Sequence, residues 1–451
     1  MFRFVTKNKN APVKKPLGAG PKGGIGLVPA TALGVGGMMG AGLYTLVGQA
    51  TTTAGRWLPM AFLVGACAAV LSVYSYSKLG AEYPSRGGAA QFLIVGFGNT
   101  TTAGGLNVFQ YVAYLIATAL YGAGFSEYVA ALGGEDFPTW GKRVVAVAVV
   151  LFFVLINVIS AGLVSKAESW IIAIELVIIG AFVLLGSFHV EPDLLAQPSG
   201  SFTGVIVAAA VLYVTYQGFG VITNASGSMA RPARELPRAM FLALGIVTLV
   251  YLAVSILVVL LVPVDQIVTD SGHALADAGQ AILGQPGFII IAAAALLATA
   301  SAVNATLFAS ANVADDVSDN AEISRALTRT VWRNGTVATL VSGGVVAVLV
   351  VAFPLSIVGQ MASLGFLVVY GAVSVGHLRV RSTTGARAWP LYGAILVNAV
   401  LFVMLFINAA IESPASAVVM VVALAGSFAF EAWYRHHDGA SGKQPAPAAS
   451  D

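Results

Sequence analysis

Gly34-Val-Gly36-Gly37-Met-Met-Gly40-Ala-Gly42-Leu-Tyr44, with Gly48 close behind, lies inside an otherwise apolar stretch from residue 25 to residue 50. A helix facing lipid gains nothing from such a run, since each glycine costs roughly 1 kcal/mol of helix propensity relative to alanine. Glycine is favourable where backbone must approach another group closely or leave the helical conformation. Within a bilayer, irregular backbone is tolerated only where it packs on protein or lines a cavity. A second interrupted stretch, Tyr216-Gln217-Gly218-Phe219-Gly220-Val221, lies far downstream. Two glycine-broken spans in corresponding halves of a polytopic chain point to a transporter's substrate site.

The rest of the composition agrees. Of 451 residues, 58% are hydrophobic and only 10% charged, against about 25% charged in soluble domains. This is an all-α integral membrane protein. The formal net charge of +3 is spread over short connections, so it is no nucleic-acid footprint. Cys67 is the single cysteine, which excludes an internal disulfide and a cysteine-based metal site. The basic, polar residues 1–24 lack the apolar core and cleavage site of a signal peptide.

A spanning helix needs about 20 mostly apolar residues. The pattern predicts twelve spans: 25–50, 57–79, 100–131, 142–163, 166–188, 202–229, 238–262, 287–314, 331–353, 357–378, 388–410 and 414–435. With both termini cytoplasmic, only Arg56, Lys142 and Arg143 of the 23 Lys and Arg residues fall outside, as the positive-inside rule requires. Residues 1–24 then form a cytoplasmic segment, 25–435 the transmembrane unit, and 436–451 a disordered cytoplasmic tail. The longest outer connection, residues 263–287, carries Asp265, Asp270, His273 and Asp277, with enough apolar residues for short helices.

Breaking a helix at mid-membrane exposes amides on one side and carbonyls on the other. The amide end favours an anionic group and the carbonyls an ammonium, so a zwitterionic amino acid matches both. Close helix packing through Gly36 and Gly40 is the competing reading of span 1. Phe219, between two glycines, reads either as a cap over a substrate or as an ordinary packing aromatic. Ionisable residues within spans are functional candidates by default. Glu175 lies nine residues beyond Lys166, about 13 Å along a helix, near half the depth of the hydrocarbon core. A carboxyl at that depth can take up and release a proton, ligate a monovalent cation, or simply bond a neighbouring helix. Glu127, near the outer end of span 3, reads as interfacial. Ser301 and Asn304, three residues apart on span 8, share a helix face, and Thr299 and Thr306 accompany them. No metalloprotease, Walker or nucleophile-elbow motif is present, and the five histidines fall in or beside predicted loops. The chain reads as neither an enzyme nor a cofactor or metal protein.

Further motifs follow in a fixed order. After Gly36-x-x-x-Gly40-x-Gly42 comes Tyr76-Ser-Lys78-Leu-Gly80-Ala-Glu82-Tyr-Pro84 with Gly87-Gly88. Then come Gly218-Phe-Gly-Val-Ile-Thr-Asn-Ala-Ser226, Arg231-Pro232, Leu236-Pro237-Arg238-Ala239 and Ser301-Ala-Val-Asn304-Ala-Thr306. From about residue 25 to 435 the chain resembles the amino acid–polyamine–organocation superfamily, most closely its prokaryotic proton-coupled, broad-specificity amino-acid permeases. The resemblance implies two inverted five-helix repeats, 25–188 and 202–378, with helices 1 and 6 broken and two peripheral helices over 388–435. It implies a substrate carboxylate at amides around Gly40, Ala41 and Gly42, and an amino group at carbonyls near Met38 and over Gln217, Gly218, Phe219 and Gly220. It also implies rocking of helices 1 and 6 to alternate access. In proton-coupled relatives a helix 5 lysine stands where Glu175 stands here, a reversal of charge; Ser301 and Asn304 are its expected helix 8 companions.

The expectation is therefore a multi-pass plasma (inner) membrane transporter that imports amino acids by proton symport through Glu175, with the lipid bilayer as its other partner and no nucleic acid. The alternatives are a polyamine or organic-cation carrier or exchanger, a sodium-coupled symporter and, remotely, an amino-acid receptor that moves nothing.

Overall fold

In hydrocarbon a chain must satisfy its own backbone, and the helix does so locally. The computed structural model describes residues 25–439 apart from 86, 135, 161, 197–199, 320–329, 333 and 334. Helix α1 (Leu27–Ala54) is followed by α2 (Leu58–Glu82), α3 (Ala89–Phe97), α4 (Thr101–Gly133), α5 (Thr139–Ser160) and α6 (Gly162–Gly186). Span 6 is divided into α7 (Phe202–Leu212), a 3-10 turn (Tyr213–Tyr216) and α8 (Phe219–Asn224). Then come α9 (Pro232–Leu261), α10 (Val264–Thr269), α11 (Ala274–Leu283) and α12 (Gln285–Asp319). A two-stranded antiparallel ribbon, Thr330–Trp332 with Gly335–Thr336, precedes α13 (Val337–Ala352), α14 (Leu355–Thr384), α15 (Ala388–Glu412) and α16 (Pro414–Gly439).

Among the described residues nine helices are long and apolar enough to cross a membrane, and α1, taken as a bent pair, is a tenth. Trp170–Gly186 and α13 are shorter apolar helices. Burial sorts these elements. The most apolar stretch of α4 is 83% buried and that of the broken span 89%, against 28% for α15 and for α16. The centre of the bundle is therefore α4 with α7 and α8. The outer surface carries an apolar belt, with Trp170, Val177, Leu249, Val348 and Leu396 largely exposed. So much exposed apolar surface marks contact with another apolar phase, here the bilayer.

Several expectations need correction. Span 1 does not unwind: α1 keeps helical geometry from Leu27 to Ala54, and bends by 40° between Met39 and Gly42. Helix α3 was not anticipated; it starts after Gly88, whose φ of +52° and contact with Asn224 suit glycine alone, and it buries Phe92 and Leu93. The ribbon before α13 was also unforeseen. His377 is not a loop histidine. It is buried within α14, where Nδ1 meets Ser75 Oγ at 2.9 Å and Nε2 meets Thr384 Oγ1 at 2.8 Å. Residues 436–439 continue α16 rather than opening a disordered tail; the expectations for 1–24 and 440–451 lie outside the described residues.

The long connection after α9 folds as α10 and α11 and seats on the end of α1. A Cβ on Gly48 would come within 2.2 Å of Ser271 O, so backbones touch there. His273 Nδ1 stands 3.1 Å from Asp277 Oδ2, its ring packs on Phe288, and neighbouring Gly272 abuts Glu127, which is paired to Lys142 at 2.7 Å. Partial burial alone would lower the His273 pKa, but the hydrogen bond and charge of Asp277, with Asp270 and Glu127, raise it above the ordinary imidazole value. A raised folded-state pKa contributes stability that is fully present below the unfolded value and lost as pH rises through the folded one. Wild type and His273→Gln should therefore differ most in thermal unfolding temperature in acid, and the gap should close as pH rises. An equal gap at every pH would remove the ion-pair explanation.

Candidate functional site

The broken span sets the site. Tyr213–Tyr216 winds as 3-10 backbone, and the i→i+3 pattern continues, with Gln217 N bonding Val214 O (3.1 Å), Gly220 N bonding Gln217 O (2.9 Å) and Val221 N bonding Gly218 O (3.0 Å). Leaving the α-helical ladder frees carbonyls in a dry interior, where an unpaired polar group costs about 1–3 kcal/mol. Hydroxyls from other helices supply the donors. Ser363 donates to Val211 O at 2.5 Å, Tyr251 to Thr215 O at 3.2 Å, and Tyr370 to Gln217 O at 3.0 Å. The Tyr251 hydroxyl also reaches Met38 O, at 2.7 Å, just before the bend of α1. One side chain of α9 thus ties together the bend of α1 and the 3-10 turn.

Two glycines let these helices touch. A Cβ built on Gly218 would fall 2.1 Å from the Gly37 carbonyl carbon, so only bare backbone fits. Gly42 similarly admits Thr215, at 2.5 Å from an added Cβ. Close packing therefore explains part of the glycine run. Gly220 differs: its nearest neighbours would be the hydroxyls of Tyr370 and Tyr114, at 3.8 and 3.9 Å.

Beside this contact lies a narrow cleft of about 10 Å³. It is lined by Gly36 and Gly37 of α1, Tyr114 and Tyr121 of α4, Gln217 and Val221 of the broken span, and a stripe of α12 from Ser301 to Ala309. None of the lining residues is charged. Gln217 Nε2 donates to Tyr121 Oη at 3.1 Å, while Gln217 Oε1 is buried with no partner among the described residues.

The sequence-read candidates are brought together only in part. Gln217 and Ser301 line the cleft. Met38 is buried and contributes its carbonyl to Tyr251. Phe219 is fully buried among Tyr76 (ring centroids 5.3 Å apart) and Tyr370 (4.9 Å). Gly40 and Ala41 lie within the bend of α1, and the side chain of Ala41 lies outside the described residues. Glu175 is buried on α6, away from the lining of the cleft, beside the Tyr44 hydroxyl of α1. Glu175 Oε1 and Tyr44 Oη both lack a hydrogen bond of full geometry. Asn304 does not face Glu175; its Oδ1 accepts from Asn157 Nδ2 of α5 at 2.8 Å. Sequence reasoning missed Tyr44, Tyr114, Tyr121, Tyr251 and Tyr370. Their signal was a tyrosine deep within an apolar span, where a phenolic hydroxyl must find a partner.

A polytopic helical bundle with one span broken beside a small central cleft has the build of a membrane transporter. The chain belongs to the amino acid permease family, whose profile matches residues 25–429. It is 30% identical over 364 residues to an inner membrane transport protein of Escherichia coli, covering 79% of this chain and 84% of that one. It is 31% identical over 386 residues to an uncharacterised protein of Methanocaldococcus jannaschii, covering 85% and 88%. Cationic amino acid transporter 4 of Mus musculus is 27% identical over 379 residues, with 78% of this chain and 58% of that protein covered.

Replacing Tyr251 with Phe removes the donor from two buried carbonyls and should cost about 1–3 kcal/mol of stability, read as a lower unfolding midpoint. Gly218→Ala should destabilise by a similar 1–3 kcal/mol through overpacking, whereas Gly220→Ala should be near neutral. Equal midpoints for the two alanine variants would refute the backbone contact at Gly37.

Proposed function

We propose that this permease is a secondary active importer of amino acids, driven by proton symport with Glu175 as the coupling group. The observation that carries the reading is the uncharged, narrow cleft against the broken span, where backbone that has left the α-helical ladder lines an opening between α1, α4 and α12. An ammonium matches carbonyls such as Met38 O and Gln217 O, and in this reading α1 opens at its bend to present amides to a carboxylate. In this proposal Tyr251 and Tyr370 hold those carbonyls when no substrate does. The neutral lining speaks for amino acids over polyamines, whose charges need several acids.

Glu175 is not among the cleft's lining residues, and its helix packs on α1: Ile172 fills the space over Gly36, one turn before Glu175. A carboxyl buried there, with one oxygen unpartnered, has reason to carry a proton in one state and release it in another. Because Tyr44 beside it belongs to the helix that bends, proton binding and the angle of α1 can be coupled.

The proposed architecture is twelve spans in two inverted repeats, 25–188 and 202–378, with α15 and α16 outside them. The nine long helices, the bent pair and the two shorter apolar helices support that count; the low burial of α15 and α16 supports their place. Both termini are proposed to be cytoplasmic on the basis of the basic residues, and the membrane to be the inner one.

In proteoliposomes, uptake of labelled amino acids should follow an imposed pH gradient and survive removal of sodium. Glu175→Gln should lose accumulation against a gradient while still exchanging substrate across the membrane. A Gln variant that still concentrates substrate would acquit Glu175, and uptake that demands sodium would replace the proton with that ion.

A further inference from the structure

The geometry points to Gln217 as a side-chain selectivity element that reads a neutral hydroxyl or carboxamide on the transported amino acid. This rests on the amino-acid transport reading and names the substrate class that the cleft favours. Gln217 is only 2% exposed, it lines the cleft, and its Oε1 has no partner among the described residues. The other end of the amide is fixed, because Nε2 bonds Tyr121 Oη at 3.1 Å. Turning the amide over would only exchange the roles: one atom bonds Tyr121 and the other is left free. Buried polar atoms of this kind are nearly always satisfied, so an orphan on a residue that lines a cleft is an offer to a ligand.

The rest of the lining says what that ligand is. Tyr121 holds the amide from one side, while Val221, Ala302, Ala305 and Ala309 form a low apolar wall. No carboxylate lines the cleft, and an ammonium or guanidinium taken out of water without a partner is strongly disfavoured. A purely aliphatic side chain would fill the wall but leave the amide unpaired. Discrimination by a site built around a hydrogen bond comes from that unpaired group when the wrong substrate binds. Threonine, serine and asparagine satisfy the amide and fit the small wall; valine and leucine satisfy only the wall, and lysine could donate to the amide but leaves its charge without a carboxylate.

The test compares near-isosteric pairs in proteoliposomes of the wild-type chain and of Gln217→Leu. Initial uptake of radiolabelled threonine is competed by unlabelled threonine, valine, asparagine, leucine and lysine. In wild type, threonine and asparagine should compete about tenfold more strongly than valine and leucine, the ratio expected for one unpaired buried amide, with lysine weakest. Gln217→Leu should keep the wild-type size-exclusion profile and unfolding midpoint, showing that the variant is folded, and its preference for threonine over valine should collapse to near unity. Gln217→Glu should admit lysine. Saturable uptake in which valine or lysine competes as well as threonine would overturn the inference and leave the transport reading standing. A Gln217→Leu variant that weakens every substrate equally would also overturn it, by assigning the amide to the part all amino acids share. No saturable uptake of any amino acid by wild type would bring down the transport reading and this inference together.

Discussion

Backbone carbonyls released by the broken span must be bonded in a place without water. That constraint organises the centre of the molecule. A helix in lipid is stable because its ladder is complete, and interrupting it at Tyr213–Tyr216 forfeits that completeness. Ser363, Tyr251 and Tyr370 restore it from two other helices. The break is therefore a tertiary property, held open by donors that lie far away in sequence.

The same donors connect parts that a transporter has to move relative to one another. Tyr251 holds the bend of α1 and the 3-10 turn with one hydroxyl, while Gly37 and Gly218 press the two backbones together. Hydroxyl bonds of this kind cost little to exchange for a ligand's own groups, since each is worth only about 0.5–1.5 kcal/mol net. The glycine contact is more rigid, because backbone has no rotamer with which to yield. A soft clasp beside a hard pivot suits two segments that change angle without separating.

The position of Glu175 relative to the cleft bears on the proposed link between transport and proton binding. It is not among the cleft's lining residues and lies beside Tyr44 of α1. Coupling in the proposed mechanism thus passes through α1, which also contributes to the lining. Asn304, expected near it, instead forms the Asn157 pair that fastens α12 to α5. Polar residues on one face of a helix still choose among several neighbours, and spacing does not say which.

Sequence alone determined that the chain is helical and membrane-embedded, because a 20-residue apolar run without charge has no other stable form in water or lipid. It also marked the two glycine-rich stretches as unusual, since glycine clusters are costly in an ordinary span. Whether a stretch unwinds or merely bends was decided only by tertiary structure. Span 6 has Ser363, Tyr251 and Tyr370 to receive its carbonyls and loses its α-helical winding; α1, with Tyr251 at Met38 O, keeps its helix and bends. The partners of Phe219, Asn304 and His377 were likewise beyond the sequence, because each contact joins residues far apart along the chain. Local pattern reports which groups a segment must bury or satisfy; only the packed bundle assigns the atom that meets each one.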